Sequence, residues 1–260
     1  MSKEDDRPYF EVINATKLFG GLKAVNDLTF SLHKGEVISI IGPNGAGKTT
    51  LLNLISGIFP ITRGEILYKG QKIGRLPAHE ICFLGISRSF QNQQLFDNLT
   101  VLENVMVGSY RSSRSTLPEV MFRVGRIRRE EREAFDRAMD KLCFLGLEKK
   151  AYEMPSSLAL KERQFLGIAR ALAAEPEMLL LDEPVGGLTV EEINEASGKI
   201  LKMREQGLTI LFIEHRMELV NSISDRVIVM DFGQKIAEGT FQEMQRNEKV
   251  IAAYLGKREA

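Results

Sequence analysis

The sequence predicts an α/β fold: a mostly parallel sheet with helices on both faces. Three observations carry this expectation. The segments Val37 to Ile41, Met178 to Leu181 and Leu208 to Ile213, apolar but for Ser39 and Thr209, have the length and texture of strands buried on both sides. Amphipathic segments with helical spacing alternate with them along the chain. A glycine-rich turn, Gly42 to Gly47, joins the first of these strands directly to the first such helix.

Taken in order, the alternation in Leu28-Thr-Phe-Ser-Leu32 and in Ile66 to Tyr68 predicts half-exposed antiparallel strands, an antiparallel β subdomain beside the parallel core. The helix starting at about Gly47 places Leu51, Leu52 and Ile55 on one face and ends near Gly57 and Pro60. Between roughly Arg88 and Arg163 the texture turns helical, which predicts an α-helical subdomain inserted at 88–163. Within it, residues 109–132 are irregular and hold Arg123, Arg126, Arg128, Arg129 and Arg132. Such a charge run fits a solvated helix face or a surface near a membrane. From Phe135 the positions Phe135, Ala138, Met139 and Leu142 recover helical spacing. Thr189-x-x-Glu192 reads as a capping box opening a helix with Ile193, Ala196, Ile200 and Met203 inward. No repeat, Pro-rich linker or low-complexity tract interrupts the chain, so residues 1–260 read as a single domain.

The 260 residues carry a formal net charge of zero, with 43% apolar and 27% charged residues, ordinary values for a globular protein. Zero net charge weighs against a nucleic-acid partner. Apolar runs are strand-sized and stop at charges, short of the ~18 residues of a membrane helix. Met1 to Arg7 is charged and lacks the apolar core of a secretion signal. The sequence therefore predicts a cytoplasmic chain that meets any membrane through a partner. Cys82 and Cys143 are far apart without metal-ligand spacing, and read as small buried hydrophobes rather than a disulfide or zinc framework.

Gly42-Pro-Asn44-Gly45-Ala46-Gly47-Lys48-Thr49 fits G-x-x-x-x-G-K-[ST], with a strand before it and a helix after it. This is the phosphate loop of a P-loop NTPase with a RecA-like parallel core. Its glycines let backbone N–H groups curl around phosphates at a helix N-terminus. Lys48 is expected at the β- and γ-phosphates, the Thr49 hydroxyl on Mg²⁺, and Thr50 as a further hydroxyl. Met178-Leu-Leu-Leu-Asp182-Glu183 releases two acids at the C-terminal end of a buried strand, where ligands gather on open parallel sheets. Asp182 fits a Mg²⁺-holding role, and Glu183 a general base for the attacking water. His215 follows the strand Leu208 to Ile213, after Glu214, on the same edge and reads as a γ-phosphate contact.

These elements in this order resemble the ATPase of an ABC transporter over nearly the whole chain. The resemblance implies ATP and Mg²⁺ as cofactors. It implies that Phe19, in Leu-Phe-Gly-Gly, stacks on adenine, although a plain core phenylalanine competes for that position. It implies that Gln91, in Arg88-Ser-Phe-Gln-Asn92, senses Mg²⁺ and water and links to a transmembrane partner. His215 matches the family's switch histidine. The wording of Phe19-Gly-Gly-Leu-Lys-Ala-Val25, Arg88 to Asn92, Ile213-Glu-His215 and Ile251-Ala-Ala-Tyr-Leu-Gly256 is similar to the branched-chain amino acid importers. That subgroup implies a second ATPase subunit in a heterodimer, two permease subunits, an extracytoplasmic substrate-binding protein, and a place on the cytoplasmic face of the membrane.

One motif departs from the pattern. The family signature Leu-Ser-Gly-Gly-Gln falls on Leu158-Ala159-Leu160-Lys161-Glu162. In the resemblance this segment serves the partner's nucleotide, and Lys161 stands where a glycine lets backbone approach the γ-phosphate. The alternatives left open are a lipid or polysaccharide exporter, a non-transport ABC ATPase, and a subunit that holds ATP with little turnover.

Overall fold

The structure is a computed structural model that describes residues 8–90, 95–109 and 124–255, the side chains of 124–128 and of Leu255 excepted. In chain order its strands are β1 (Phe10–Phe19), β2 (Leu22–Leu32), β3 (Val37–Ile41), β4 (Arg63–Tyr68), β5 (Gln71–Lys72), β6 (Ile86–Ser89), β7 (Met178–Asp182), β8 (Thr209–Ile213), β9 (Arg226–Asp231) and β10 (Gln234–Gly239). The helices are α1 (Lys48–Ile55), α2 (Ala78–Leu84), α3 (Val101–Gly108), α4 (Val124–Leu145), α5 (Leu160–Leu172), α6 (Val190–Glu205), α7 (Met217–Ile223), α8 (Phe241–Arg246) and α9 (Glu248–Leu255).

Six strands form one sheet in the order β10-β9-β3-β8-β7-β6, parallel except for β10 at its edge. Every residue of β3, β7 and β8 is buried, as their predominantly apolar runs require, with Ser39, Asp182 and Thr209 buried among them. The strands predicted to alternate lie in a separate four-stranded antiparallel sheet, β2-β1-β4-β5, as the expected antiparallel subdomain. Where the β1–β2 ladder slips its register, Asn14 and Asp27 take positive φ, and the Asn14 Nδ2 amide donates to Asp27 Oδ1 at 2.7 Å.

Side chains of the six-stranded sheet alternate between two apolar clusters. Ile38, Ile40, Leu180, Leu211 and Ile213 pack with Leu51, Leu52 and Ile55 of α1 and with the antiparallel sheet. Val37, Leu179, Leu181, Ile210 and Phe212 pack with α3, α4, α5 and α6, including Val105, Leu142, Leu166 and Ile200. Of the helical positions read from sequence, Ala138 and Leu142 are buried, with Phe135 and Met139 packed partly buried beside them. The described helices of the 88–163 stretch thus share their apolar cluster with the sheet. Strand β6 carries the sheet through Arg88, which pairs with Leu180, so helical structure begins later than the sequence suggests.

The Thr189 cap forms as expected: its N–H donates to Glu192 and its hydroxyl accepts from the Glu192 N–H, opening α6. Both cysteines are free, but neither is buried: Cys82 is partly exposed and Cys143 exposed. Cys143 follows the inward-facing Leu142 on α4, and the next residue along a helix points away from the core. Of the arginine run, Arg123 lies outside the described residues, as do the side chains of Arg126 and Arg128. Arg129 is exposed and pairs with Glu133 at 2.9 Å, one turn along α4. No described helix is long and apolar enough to cross a membrane.

Candidate nucleotide site

Strand β3 runs out of the sheet centre into the phosphate loop, and helix α1 begins at Lys48 with Gly47 as its cap. Two of the glycines are dictated by contact. A Cβ on Gly42 (φ 147°) would stand 2.0 Å from the Met230 carbonyl oxygen, and one on Gly47 (φ 95°) 2.2 Å from that of Ala24. No side chain fits either place, so the loop is wedged against the end of β9 and the edge of β2. The Gly233 N–H fastens it by donating to the Ala46 carbonyl at 3.0 Å. Asn44 and Gly45 are exposed on the outer curve and Ala46 is buried. Lys48 is buried, and its ammonium donates to the carbonyls of Gly42 (2.7 Å) and Pro43 (3.0 Å). Thr49 is exposed and Thr50 half-buried on the first turn of α1.

The register of β7 against β8 pairs Asp182 with Ile213, which brings Asp182-Glu183 alongside Glu214-His215. Asp182 is 3% exposed; its Oδ2 accepts from Arg88 Nη2 at 2.7 Å, while Oδ1 has no hydrogen-bond partner among the described residues. Arg88 was not singled out by the sequence. Its guanidinium also donates to Asn53 Oδ1 (2.7 Å) and Ser56 Oγ (3.1 Å) at α1, and stacks 4.8 Å from the Phe90 ring centre.

Glu183 takes φ +50°, a conformation costly for a side chain longer than Asn or Asp, at the point where its N–H donates to the Ile213 carbonyl. Its Oε1 lies 3.3 Å from His215 Nε2, so the two residues read as base and switch meet directly. Glu214, next to His215 in the chain and 1% exposed, accepts three backbone N–H groups: Val185 (3.1 Å), His215 (2.7 Å) and Arg216 (3.0 Å). Burial pushes its carboxyl above the usual carboxylate range, and those three donors pull the other way. Sequence reading passed over Glu214, because an acid at a strand end looks solvated until its donors are seen.

Phe19 lies at the end of β1, 40% exposed. It is not a core residue. Its ring meets Phe59 edge-on at 5.2 Å, with the Lys17 ammonium 5.0 Å from its centre. Gln91 lies outside the described residues, two positions beyond the end of β6.

The signature segment opens α5. Ala159 sits at its cap with no side-chain oxygen to offer; the Ala159 N–H donates to Glu162 Oε2 at 2.9 Å, and Lys150 pairs with the same carboxylate at 2.8 Å. Leu160 is exposed. Lys161 places a cation in the first turn, against the helix dipole. Its ammonium pairs with Glu195 of α6 at 3.0 Å, and that hydrogen bond raises its pKa.

Oxygen donors suit Mg²⁺, which is usually held by one or two protein groups together with substrate phosphates. The unpartnered Asp182 Oδ1 and the Thr49 hydroxyl offer that chemistry. Among the described residues no cluster of three or more His, Cys, Asp or Glu forms a cage of the denser kind.

A strand–phosphate loop–helix unit with acids at the ends of neighbouring parallel strands defines a P-loop nucleotide-binding protein. The sequence profile of the family described as "ABC transporter" matches residues 25–186, and that of "Branched-chain amino acid ATP-binding cassette transporter" matches 234–260. The chain belongs to the ABC transporter family, as an ATP-binding cassette with ATPase activity. Its curated relatives include the high-affinity branched-chain amino acid transport ATP-binding proteins BraF of Pseudomonas aeruginosa and LivG of Escherichia coli K12. Each is 40% identical over 252 residues, covering 96% of this chain and 99% of the relative. Among solved structures, a nucleotide-free ATP-binding cassette from an ABC transporter superposes with a TM-score of 0.84 at 31% identity, over 95% of this chain and 99% of the other. A dimeric cassette in a post-hydrolysis state with ADP and Pi superposes with a TM-score of 0.77 at 27% identity, over 89% and 98%.

Proposed function

We propose that this chain hydrolyses ATP at the edge formed by β3, β7 and β8, as the cytoplasmic-face engine of an importer for branched-chain amino acids or a related small polar solute. The carrying observation is the convergence at that edge of a wedged phosphate loop with a Glu183–His215 contact of 3.3 Å. Lys48 neutralises the β- and γ-phosphates, and Asp182 with Thr49 and Gln91 would hold Mg²⁺. That ion, when bound, supplies charge neutralisation for phosphoryl transfer. Gly42, Asn44, Gly45, Ala46, Gly47 and Thr50 line the phosphates with backbone and hydroxyl groups. Glu183 accepts a proton from the attacking water, His215 orients Glu183 and meets the γ-phosphate, and Phe19 stacks on adenine from the antiparallel sheet.

The partners in this reading are a second ATPase subunit, two permease subunits and, beyond them, a binding protein that delivers the solute. A groove of about 540 Å³ supports the permease contact; its lining includes Ile58, Phe83, Phe90, Phe96, Arg88 and Ala171. Four of these are exposed large apolar groups, the composition of a protein-binding surface. The groove borders the segment leading to Gln91, and Arg88 reaches from it to Asp182. Residues 88–163 would move with it as the helical subdomain.

Deleting the chain and measuring uptake of radiolabelled leucine, isoleucine and valine tests the substrate class. Loss of uptake, restored by the wild-type chain and not by Lys48→Ala, is expected. Unchanged uptake of all three with loss of another solute would reassign the substrate. Unchanged uptake of every solute together with a defect in export would favour an exporter.

A further inference from the structure

Two loops build the hydrolytic edge, one after β7 and one after β8, and neither is part of the sheet. The first carries Glu183 and continues through Val185; the second carries His215 and Arg216. Strand pairing ends at Asp182 and Ile213, followed by one last backbone bond from the Glu183 N–H to the Ile213 carbonyl at 3.0 Å; beyond it the ladder does not hold the two loops together. A buried carboxylate joins them. Glu214 Oε1 accepts the Val185 N–H at 3.1 Å, and Glu214 Oε2 accepts the N–H groups of His215 at 2.7 Å and Arg216 at 3.0 Å.

We propose that Glu214 is a positioning residue for hydrolysis, a clamp that fixes the distance between Glu183 and His215 by holding the loops after β7 and β8 together. The inference rests on the reading of Glu183 and His215 as the hydrolytic pair. Three features favour a clamp over simple burial of an acid. Its hydrogen bonds run to both loops, one oxygen to each, so neither loop can shift without breaking a charge-assisted bond. All its donors are backbone groups, so their positions report the loop path rather than any side-chain rotamer. And the loop it braces through Val185 carries Glu183 at φ +50°, a strained conformation that persists only where its surroundings over-determine it. Cross-bracing of this kind suits a catalytic pair whose alignment must be set before ATP arrives.

The chemistry calls for a carboxylate. An ionised carboxylate has acceptor sites on both oxygens, enough for three N–H groups. A glutamine has one acceptor oxygen and would turn its own N–H₂ toward at least one backbone N–H, opposing donor to donor. Glu214→Gln keeps the shape and removes the clamp on one loop.

The test compares Glu214→Gln with wild type in the assembled transporter, under single turnover at saturating ATP and in equilibrium binding of ATP. The expected result is a hydrolysis rate lowered by about 10-fold or more with ATP affinity unchanged, because misplacement by about 1 Å can cost ~10²-fold. A loss of binding and rate in equal measure, or a rate like that of wild type, overturns the proposal. Glu183→Gln in the same assay separates the two layers. Wild-type turnover by Glu183→Gln removes the underlying reading of the pair. An inactive Glu183→Gln beside a fully active Glu214→Gln removes the clamp alone. If Glu214→Gln does not fold, hydrogen exchange on the wild-type chain decides. Slow exchange of the His215 and Arg216 amides, in step with Val185, is expected although His215 is exposed. Exchange of all three at the rate of an unstructured chain overturns the proposal.

Discussion

The guanidinium of Arg88 and the carboxylate of Asp182 form an ion pair of 2.7 Å whose side chains are 5% and 3% exposed. It joins two strands of the sheet from residues 94 positions apart. Removing one partner of a buried pair typically costs about 3–5 kcal/mol, because the charge left behind has neither water nor counter-ion. Arg88→Met is therefore expected to lower unfolding stability by that amount in a urea titration. Arg88→Lys should lose less, keeping the charge while giving up the fork that reaches Asn53 and Ser56. A Met variant within about 1 kcal/mol of wild type, the worth of an exposed pair, would show that Asp182 gains little from the pair.

Gly42 and Gly45 both take positive φ, at 147° and 82°, but only Gly42 has backbone against it. Gly42→Ala should therefore displace the loop and remove most ATP binding, whereas Gly45→Ala, with nothing within 4 Å of the added carbon, should cost only the ~1 kcal/mol of a strained backbone. Isothermal titration with ATP on both variants reads the difference. Equal affinities would mean that the wedge against Met230 does not shape the site.

Lys48→Ala should remove most ATP binding and all turnover in the assembled transporter. The buried ammonium is already aimed along the loop by the Gly42 and Pro43 carbonyls, and no other side chain of the loop carries positive charge. Unchanged affinity and rate would transfer the phosphate charge to some other cation.

Lys161 bears on asymmetry between the two subunits. Its pairing with Glu195 neutralises the ammonium and leaves a bulky side chain where the family places glycine. In a heterodimer only the partner's nucleotide would face this segment, so the site on this chain's own Lys48 should do most of the hydrolysis. Glu183→Gln should nearly abolish steady-state turnover, a loss of about 10²-fold or more. The matching change in the partner should cost little. Equal losses, or full activity of this chain as a homodimer, would reject the asymmetry.

What the sequence made legible was local. Strands β3, β7 and β8 announced themselves as short, mostly apolar runs, and the Thr189 cap as a four-residue pattern, because each is determined by neighbours in the chain. Strand β6 was harder to read. Arg88 reads as the start of a helical stretch until β7 pairs with Ile-Ser-Arg-Ser and Asp182 supplies the partner that buries Arg88. Glu214 was hidden for the same reason, its Val185 donor being 29 residues away. Phe19 allowed both an adenine-stacking and a core reading, and only its exposure in the folded hairpin sets the core one aside. Cys143 was misjudged by residue type alone, one helical step from a buried leucine.

The alternation of the six-stranded sheet has a mechanical consequence. Ile38 and Ile40 belong to the layer of α1, Val37 and Ile41 to the layer of the long helices, and β7, β8 and β9 repeat the division. A strand slipping by one residue would exchange the contents of both layers at once, so the sheet behaves as a stiff plate. Events at the phosphate loop cannot reach the helices by sliding strands through that plate. They must pass around its rim, where the chain leaves β6, β7 and β8, and there lie Arg88, Glu183 and Glu214.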